Sequence, residues 1–514
     1  MEKYNKGEFK GGSFRLPVAD RTVTTEINQD FTLPDYQPEI KRLLRVDITL
    51  PPQSHYISPG GAEFSGPVHF DLLYAGADNQ LYSARLSTEY DFEVPFEDVP
   101  GANLTEGVIA LAETVPESVS GRVLAPRRVG MRARLRSKVR ADAQVEQQIK
   151  ITGLDDPSTL RYLTDSGSYA VILGGSEDEV PLSDEIIVGQ GEGEIRVISA
   201  DGDVFVREAT SVADGVACRG DLILKMIVCR DGEDCEPMVI TRKLPFSQTV
   251  VIEGVEPGWE SRAWGVCNDV KITVGEGRII AEAIMSLIAE AQRAEEFEYI
   301  KDVYSTAQEV MIDGITRRLT VPVRNMNGNF TQSGVFDAKE NNIPSGAEIL
   351  DVEGSATAGS LTQERGRGVI TGDVRYNVVF RDGDEWGSRE LTQPFRYEFD
   401  LAAAPSDGSA IMTVTGSRAR MDGERISIDS EVAAALRLLS MQDYNMVDEA
   451  DFSGSIAAER GAWTVFYPDN SDTLWGVAKK FHTDADRLAA SNSLKVSASP
   501  NSHESLAGAK FIII

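Results

Sequence analysis

The chain has 514 residues, of which 41% are hydrophobic, so it is long enough for about three to five domains with apolar cores. Its formal net charge of −30 disfavours nucleic acid and anionic membranes as general partners, because both would repel it. No apolar stretch approaches the length that spans a bilayer, so we expect no direct membrane insertion.

The N-terminus and the cysteines predict the compartment. Residues 1–8 lack the apolar segment of a signal peptide, so either export is unconventional or the protein acts inside the cell. The four cysteines (Cys218, Cys229, Cys235 and Cys267) lack the Cys-x-x-Cys pairs of zinc sites. We therefore expect reduced thiols.

Three segments of the first 450 residues repeat one strand pattern at a spacing of about 150 residues. In each, a glycine (Gly66, Gly220 or Gly372) is followed by alternating apolar residues, a polar turn and an aromatic-rich stretch. Alternation around such turns is typical of β-hairpins. The repeats predict copy 1 at 1–155, copy 2 at 156–305 and copy 3 at 306–450, followed by a linker at 451–461 and a C-terminal domain at 462–514.

A motif specific to copy 1 runs from Phe31 to Asp47. Pro38 suits the first turn of a helix, and Ile40, Leu43 and Leu44 would form its apolar face. The motif therefore predicts a short helix.

A second glycine anchor (Gly130, Gly277 or Gly423) keeps the same spacing. The residues after Gly130 and Gly423 alternate as in a strand, whereas those after Gly277 are rich in good helix formers. Homologous copies should share one fold, so we predict strands in all three. Many short strands with glycine-rich turns indicate β-sandwich-like domains.

Copy 1 also contains a basic strand, in which every second residue is cationic. Its other face is apolar, so we expect the basic face to point outward. Two explanations stay open: the cations pair with acidic side chains on neighbouring strands, or they form a dock for an acidic partner or another copy of the protein. The basic strand consists of Arg132, Arg134, Arg136, Lys138 and Arg140.

The last fifty residues predict a strand, two helices and a strand, a small α+β (βααβ) domain. Apolar residues in 474–481 recur at helical spacing, and Phe511–Ile514 suits a buried strand. Asp472 occupies the position of an N-cap for the first helix. Thr483 and Asp486 are spaced as a capping box for the second helix.

This C-terminal pattern resembles a LysM module, above all in the run Asp-Thr-Leu-Trp-x-x-Ala-Lys-Lys-Phe that begins at Asp472. The chain has Ser471 where the family usually has glycine. LysM modules bind glycans built on N-acetylglucosamine, and a minority bind proteins. The resemblance implies a partner or glycan groove, with Trp475 partly exposed beside it. The implied groove consists of Asp472, Thr473, Leu474, Trp475, Ser491 and Asn492.

The copy 1 motif, which includes Leu-Pro-Asp-Tyr-x-Pro-Glu-Ile from Leu33, closely resembles the SPOCS domain of spore coat assembly in spore-forming Firmicutes. Tandem SPOCS-like copies before one LysM resemble the SipL-type coat morphogenetic proteins of clostridia. The resemblance implies a mainly β chain of tandem β-sandwich-like SPOCS repeats and a LysM domain. It implies a place in the mother-cell cytoplasm at the forespore surface. The LysM would there dock onto the coat morphogenetic ATPase or other coat proteins.

The histidines give little support for catalysis. The chain has four, and none stands in a recognisable nucleophile or metal motif, so we expect no enzyme, no cofactor and no metal site. We therefore expect a non-enzymatic scaffold that tethers a coat morphogenetic protein at the forespore surface. The alternative is a protein that binds peptidoglycan or another N-acetylglucosamine glycan through its LysM, and an unrecognised hydrolase is a third, disfavoured one.

Overall fold

The computed structural model describes residues 7–188, 194–230, 235–275, 277–456, 464–494, 505–506 and 509–514. Copy 1 contains β1 (Gly7–Thr32), β2 (Ile40–Thr49), β3 (Ser54–Ser58), β4 (Gly61–Gly76), β5 (Leu81–Pro95), β6 (Ala102–Asn103), β7 (Ile109–Ala125) and β8 (Arg128–Thr152). Copy 2 contains a 3₁₀ turn (Pro157–Thr159), β9 (Leu160–Ile187), β10 (Ile195–Val212), β11 (Gly215–Arg230), β12 (Met238–Val251), β13 (Glu260–Gly275) and β14 (Arg278–Ser305).

Copy 3 contains β15 (Glu309–Asp337), β16 (Glu348–Glu364), β17 (Arg367–Asp382), β18 (Glu385–Asp400), β19 (Asp407–Asp422) and β20 (Arg425–Ser453). The C-terminal module, named here for the described residues from 464 onward, contains β21 (Val465–Phe466), α1 (Leu474–Lys480), α2 (Ala485–Ser491) and β22 (Ile512–Ile513). None of the described helices is long and apolar enough to cross a lipid bilayer.

The three copies repeat one strand topology. In each, the first and last long strands pair antiparallel, as β1–β8, β9–β14 and β15–β20, and the last also pairs with β7, β13 or β19. A second sheet is β2–β4–β5, β10–β11–β12 or β16–β17–β18. The chain is therefore mainly β, as predicted, and the helix-like stretch after Gly277 is confirmed as a strand.

The first glycine anchor has a steric cause. A Cβ on Gly220 would lie 2.0 Å from the carbonyl oxygen of Phe205, and one on Gly372 would lie 2.2 Å from that of Thr357, so neither site has room for a larger residue. An aromatic ring on the next strand covers each glycine, which restores the packing that a missing side chain would leave open. The directly opposed pairs are Gly66 with Tyr90, Gly220 with Phe246 and Gly372 with Phe395.

A β-bulge recurs at one position in all three copies. The extra residue is Leu44 in β2, Ile198 in β10 and Leu350 in β16. A bulge re-aims the side chains next to it. All three extra residues pack in one apolar cluster, so the copies meet there around a common axis.

The copy 1 motif does not form the predicted helix. Leu33 N–H donates to Arg127 O at 2.8 Å and Ile40 N–H to Pro126 O at 2.7 Å, which fastens both ends of the segment to the β7–β8 turn. Residues 35–37 form a tight turn between these points, and Ile40 begins β2. Tertiary hydrogen bonds thus override the helical spacing of Ile40, Leu43 and Leu44.

The expectation of four reduced cysteines is wrong for one pair. Cys229 and Cys235 form a disulfide, with their Cα atoms 5.6 Å apart, where the chain returns from β11 toward β12. Cys218 and Cys267 are free and buried. Burial raises the pKa of each to about 12, which leaves both thiols protonated and poorly reactive.

Four buried charges from all three copies form what we call the axial ion cluster: Glu113, Arg262, Glu290 and Arg437. Arg262 Nη2 lies 2.6 Å from carboxylate oxygens of both Glu113 and Glu290. Arg437 closes the ring, at 2.5 Å from Glu113 and 2.8 Å from Glu290. Burial alone would raise the pKa of Glu113, but Arg262 and Arg437 hold it at about 2. Glu113 is therefore charged at neutral pH and paired with both arginines.

The strand around Arg437 explains why these charges are buried. Along β20 the eight consecutive residues from Val432 to Leu439 are all buried, because one face packs within copy 3 and the other against the other copies. A guanidinium in such a stretch needs charged partners. Glu113 and Glu290 supply them from copies 1 and 2.

A second charged cluster lies on the bulged strands. Five carboxylates share two cations there, so negative charge is in excess. Asp351 has both cations in contact, Arg45 at 2.5 Å and Lys225 at 2.9 Å. Asp47, Asp201, Asp203 and Glu353 line an adjoining polar cavity of about 410 Å³. This carboxylate cluster consists of Asp47, Asp201, Asp203, Asp351 and Glu353 with Arg45 and Lys225.

The carboxylates divide into two groups by their pKa. Burial would raise the pKa of Asp351, but Lys225 and Arg45 hold it at about 2. Burial raises the pKa of Asp47 to about 7 and that of Asp201 to about 6, against the attraction of Arg45. The difference follows from the number of cations in contact, since Arg45 is shared and Lys225 lies nearer Asp351 and Glu353.

These shifts predict a pH dependence of stability. An unfolded aspartate titrates near 3.8, whereas folded Asp47 and Asp201 titrate near 7 and 6, so the folded chain binds more protons in between. The free energy of unfolding should therefore fall as the pH rises from about 4 to 7. In the double variant Asp47→Asn/Asp201→Asn this fall should be smaller. Urea unfolding between pH 4.5 and 8 measures it, and parallel curves for both proteins would contradict the account.

Candidate functional site

The first helix of the C-terminal module begins one residue later than the sequence indicated. Thr473 is its N-cap, and its Oγ1 accepts the N–H of Gly476 at 3.0 Å. The Asp472 carboxylate instead accepts the N–H of Asp469 at 2.8 Å and so closes the preceding turn. The predicted N-cap role of Asp472 is therefore wrong, and the Thr473 hydroxyl is engaged in capping the helix.

The second helix is likewise capped by a different residue. Asp484 accepts the N–H groups of Asp486 and Arg487 at 3.0 and 3.2 Å, so the predicted capping box from Thr483 to Asp486 is wrong. A carboxylate suits this position because it faces several unpaired N–H groups at the start of the helix.

The loop after the second helix is held by Asn492. Its Nδ2 donates to the carbonyls of Leu488 and Ile513 at 2.9 and 2.8 Å, and its Oδ1 accepts Ile513 N–H at 2.7 Å. Asn492 therefore clamps β22 onto α2, and its amide is fully used. The neighbouring Ser491 is exposed.

The six predicted groove residues lie in one small module, but they are not equally accessible. Leu474 is buried, Asp472 and Thr473 are half-buried, and Asp472 O accepts Leu506 N–H at 2.9 Å. The two predicted groove loops thus meet the C-terminal segment at different points. Among the six, Ser491 is the exposed one, and the groove itself stays a prediction.

Trp475 is not the partly exposed residue that the sequence suggested. Its side chain packs against copy 2 and is 7% exposed. Its indole N–H donates to Asp302 Oδ2 at 2.8 Å, and its ring meets that of Tyr304 edge-on, with 4.8 Å between centroids. This face of the module is therefore occupied within the chain.

Further polar contacts complete the interface between the module and the end of the β9–β14 strand pair. Lys479 Nζ lies 2.6 Å from Asp302 Oδ1, so both oxygens of this carboxylate bind the module. Tyr304 O–H donates to Thr483 O at 2.7 Å, and Arg161 pairs with Asp484 at 2.6 Å. Copy 2 thus fixes the orientation of the module.

Asp302, Tyr304 and Arg161 were missed by reasoning from the sequence. The one signal near them is local: between Ile300 and Asp302 the β9–β14 register shifts by a residue. A bulge of this kind commonly re-aims side chains toward a partner. It is visible only in the strand pairing.

The basic strand lies within β8, and its environment changes along its length. Arg132 and Arg134 are exposed, and Arg134 and Arg136 share the single carboxylate of Glu117 at 3.2 and 3.7 Å. Lys138 is half-buried and pairs with Asp407 of copy 3. The outer end therefore keeps an excess of positive charge, and whether it docks an acidic partner stays a prediction.

The inner end of the basic strand is structural, so the expectation of an entirely outward face is wrong at Arg140. Its side chain is 3% exposed and binds Asp142 through two bonds of 2.7 Å. It also lies 3.3 Å from Asp20 and donates to Thr320 Oγ1 of copy 3 at 2.8 Å. Alternation alone does not show that a neighbouring copy covers this end.

The comparisons with known proteins give no identity. No family model matches the chain, and neither a curated protein nor a solved structure matches it. The function must therefore be argued from the residues and contacts described above.

The two ends of the basic strand should respond differently to the same substitution. Arg140→Ser leaves Asp142 buried without its cation, which should lower the free energy of unfolding by about 3–5 kcal/mol. Arg132→Ser, on the same face, should change it by less than about 0.5 kcal/mol. Urea unfolding of both variants is the measurement, and equal losses would contradict this assignment.

Proposed function

We propose that this protein is a non-enzymatic scaffold of the spore coat, which tethers a coat morphogenetic protein at the forespore surface. The observation that carries the proposal is the joining of the three copies into one body. The axial ion cluster binds the three copies together, and Asp302 and Arg161 hold the C-terminal module on copy 2. A scaffold needs such fixed geometry between the copies that carry its attachment surfaces.

The resemblance of the copy 1 motif to SPOCS domains, and of the C-terminal module to LysM, supports the cellular setting. A tether of this kind acts in the mother-cell cytoplasm, where no export signal is needed. The partner is the coat morphogenetic ATPase or another coat protein. The tandem copies and the module are then a SPOCS–LysM arrangement, with the module serving recognition.

The hydrogen bonds of the groove residues favour a protein partner over a glycan. A glycan site presents free donors and acceptors to sugar hydroxyls, because each unpaired polar group at a binding site costs affinity. Here Thr473 Oγ1 caps α1 and the Asn492 amide holds β22. Few groove groups are then left for N-acetylglucosamine, whereas a protein can contact the loops by shape.

A blocking substitution at Ser491 tests this function. Ser491 is exposed and makes no capping contact, so Ser491→Trp should leave the module folded, and Ser406→Trp, at an exposed serine of copy 3, is the matched control. The purified coat ATPase should bind the full chain, and Ser491→Trp should raise the Kd at least about tenfold, or about 1.4 kcal/mol. Biolayer interferometry measures both.

A second titration, with the hexamer of N-acetylglucosamine, separates the alternative. The scaffold proposal expects no binding of the hexamer to the full chain. Micromolar binding that Ser491→Trp removes, with no binding of the ATPase, would replace the scaffold by the wall-binding function.

A further inference from the structure

The charged contacts between the C-terminal module and copy 2 are more open to solvent than those of the axial ion cluster. In this joint Lys479 and Asp302 expose 34% and 24% of their side chains. In the axial ion cluster the corresponding fractions are 0–4%. Ion pairs that are open to solvent are screened by salt more than buried ones. The charged part of this joint is therefore the part that salt or a competing carboxylate can weaken.

The docked face of the module is chemically specific. It presents an indole N–H from Trp475 and an ammonium from Lys479, and both point at one carboxylate, that of Asp302. Two residues further along β14, Tyr304 meets the indole ring edge-on and donates to Thr483 O. The face thus recognises an extended strand with an acidic residue and, two positions later, a tyrosine.

We propose that this Trp475–Lys479 face is a recognition surface for an acidic, tyrosine-containing strand of a partner protein, and that Asp302 and Tyr304 close it in cis as a competing copy of that strand. The chemistry of the partner strand is inferred from the internal strand that occupies this face, which contributes Asp302 and Tyr304. The inference deepens the proposed function, because it adds a second, gated surface to the module.

The internal strand controls access to this face, because it and a partner strand compete for the same site. With the module tethered, the effective concentration of the internal strand is in the millimolar range. A partner strand must therefore bind tightly enough to displace the internal strand, or make additional contacts elsewhere on the module. Loss of the Asp302 carboxylate removes the internal competitor's charge and opens the face.

Peptide binding to the full chain tests the gate. The probe is a fluorescent peptide with the sequence of residues 298–306, and the chains are wild type, Asp302→Ala and Lys301→Ala. Lys301 is the neighbouring residue and pairs with Asp165, away from the module, so it is the matched control. Asp302→Ala should bind the peptide at least about tenfold more tightly than the other two, and adding Trp475→Ala should abolish this gain.

A zero-length cross-link reports the closed state directly. A carbodiimide joins an amine to a carboxyl as an amide with loss of water, so Lys479 should couple to Asp302 across 2.6 Å. The pair Lys150–Glu449 between copies 1 and 3, also 2.6 Å apart, is the internal control. Salt should reduce the first product before the second, because the backbone pairing of β8 with β20 keeps Lys150 beside Glu449.

Two outcomes would overturn the inference. One is equal peptide affinity in all chains, or equally tight binding of a peptide that lacks the acidic residue and the tyrosine. The other is a Lys150–Glu449 product without any Lys479–Asp302 product. Neither measurement uses the coat ATPase. A negative peptide or cross-linking result therefore leaves the proposed function intact, and a negative ATPase-binding result leaves the competition between strands intact.

Discussion

The axial ion cluster is the constraint on which the rest of the structure depends. Each of its four groups is almost fully removed from water, so none tolerates the loss of its partners. Glu113 belongs to copy 1, Arg262 and Glu290 to copy 2, and Arg437 to copy 3. The charges are satisfied only when the three copies are together, which makes the repeats one body rather than three linked domains.

Glu113 of the axial ion cluster and Asp47 of the carboxylate cluster affect stability in opposite pH ranges. In the axial ion cluster cations and anions are equal in number, and the low pKa of Glu113 means that its contribution is lost in acid. The carboxylate cluster has more anions than cations. Because the pKa of Asp47 is raised, protonation in acid removes one of its buried negative charges. The axial ion cluster thus has equal numbers of cations and anions, whereas the carboxylate cluster beside the cavity has an excess of anions.

The sequence was sufficient to predict the strands and hairpins within each copy. It was insufficient to predict the contacts that join the copies and the C-terminal module. Alternation and the glycine anchors predicted the hairpins, because strand pairing imposes a period of two and a Cβ on Gly220 or Gly372 would collide with a backbone carbonyl of the neighbouring strand. The stretch after Gly277 had helical propensity because alanines such as Ala281 and Ala289 are needed where strands pack closely. Comparison of the copies corrected that bias.

The errors share one physical origin. The short helix expected at Ile40, the exposure of Trp475 and the outward direction of Arg140 were all inferred from neighbours in sequence. Each is decided by a distant residue: Pro126, Asp302 and Thr320 respectively. The helix caps at Thr473 and Asp484 were displaced by one residue, which is the ordinary uncertainty of a helix end. The disulfide likewise depends on a second residue, Cys235, which lies six positions after Cys229.

The central claim is that Glu113 of copy 1 and Arg437 of copy 3 are in contact at the buried axis, 2.5 Å apart. A double-mutant cycle with Glu113→Gln and Arg437→Met, followed by urea unfolding of the full chain, tests it most directly. The account predicts that the double variant loses about 1–3 kcal/mol less than the sum of the single losses, because each single change strands a buried partner. Losses that simply add would show that the two residues do not meet, and would contradict the arrangement of the three copies around a shared ionic centre.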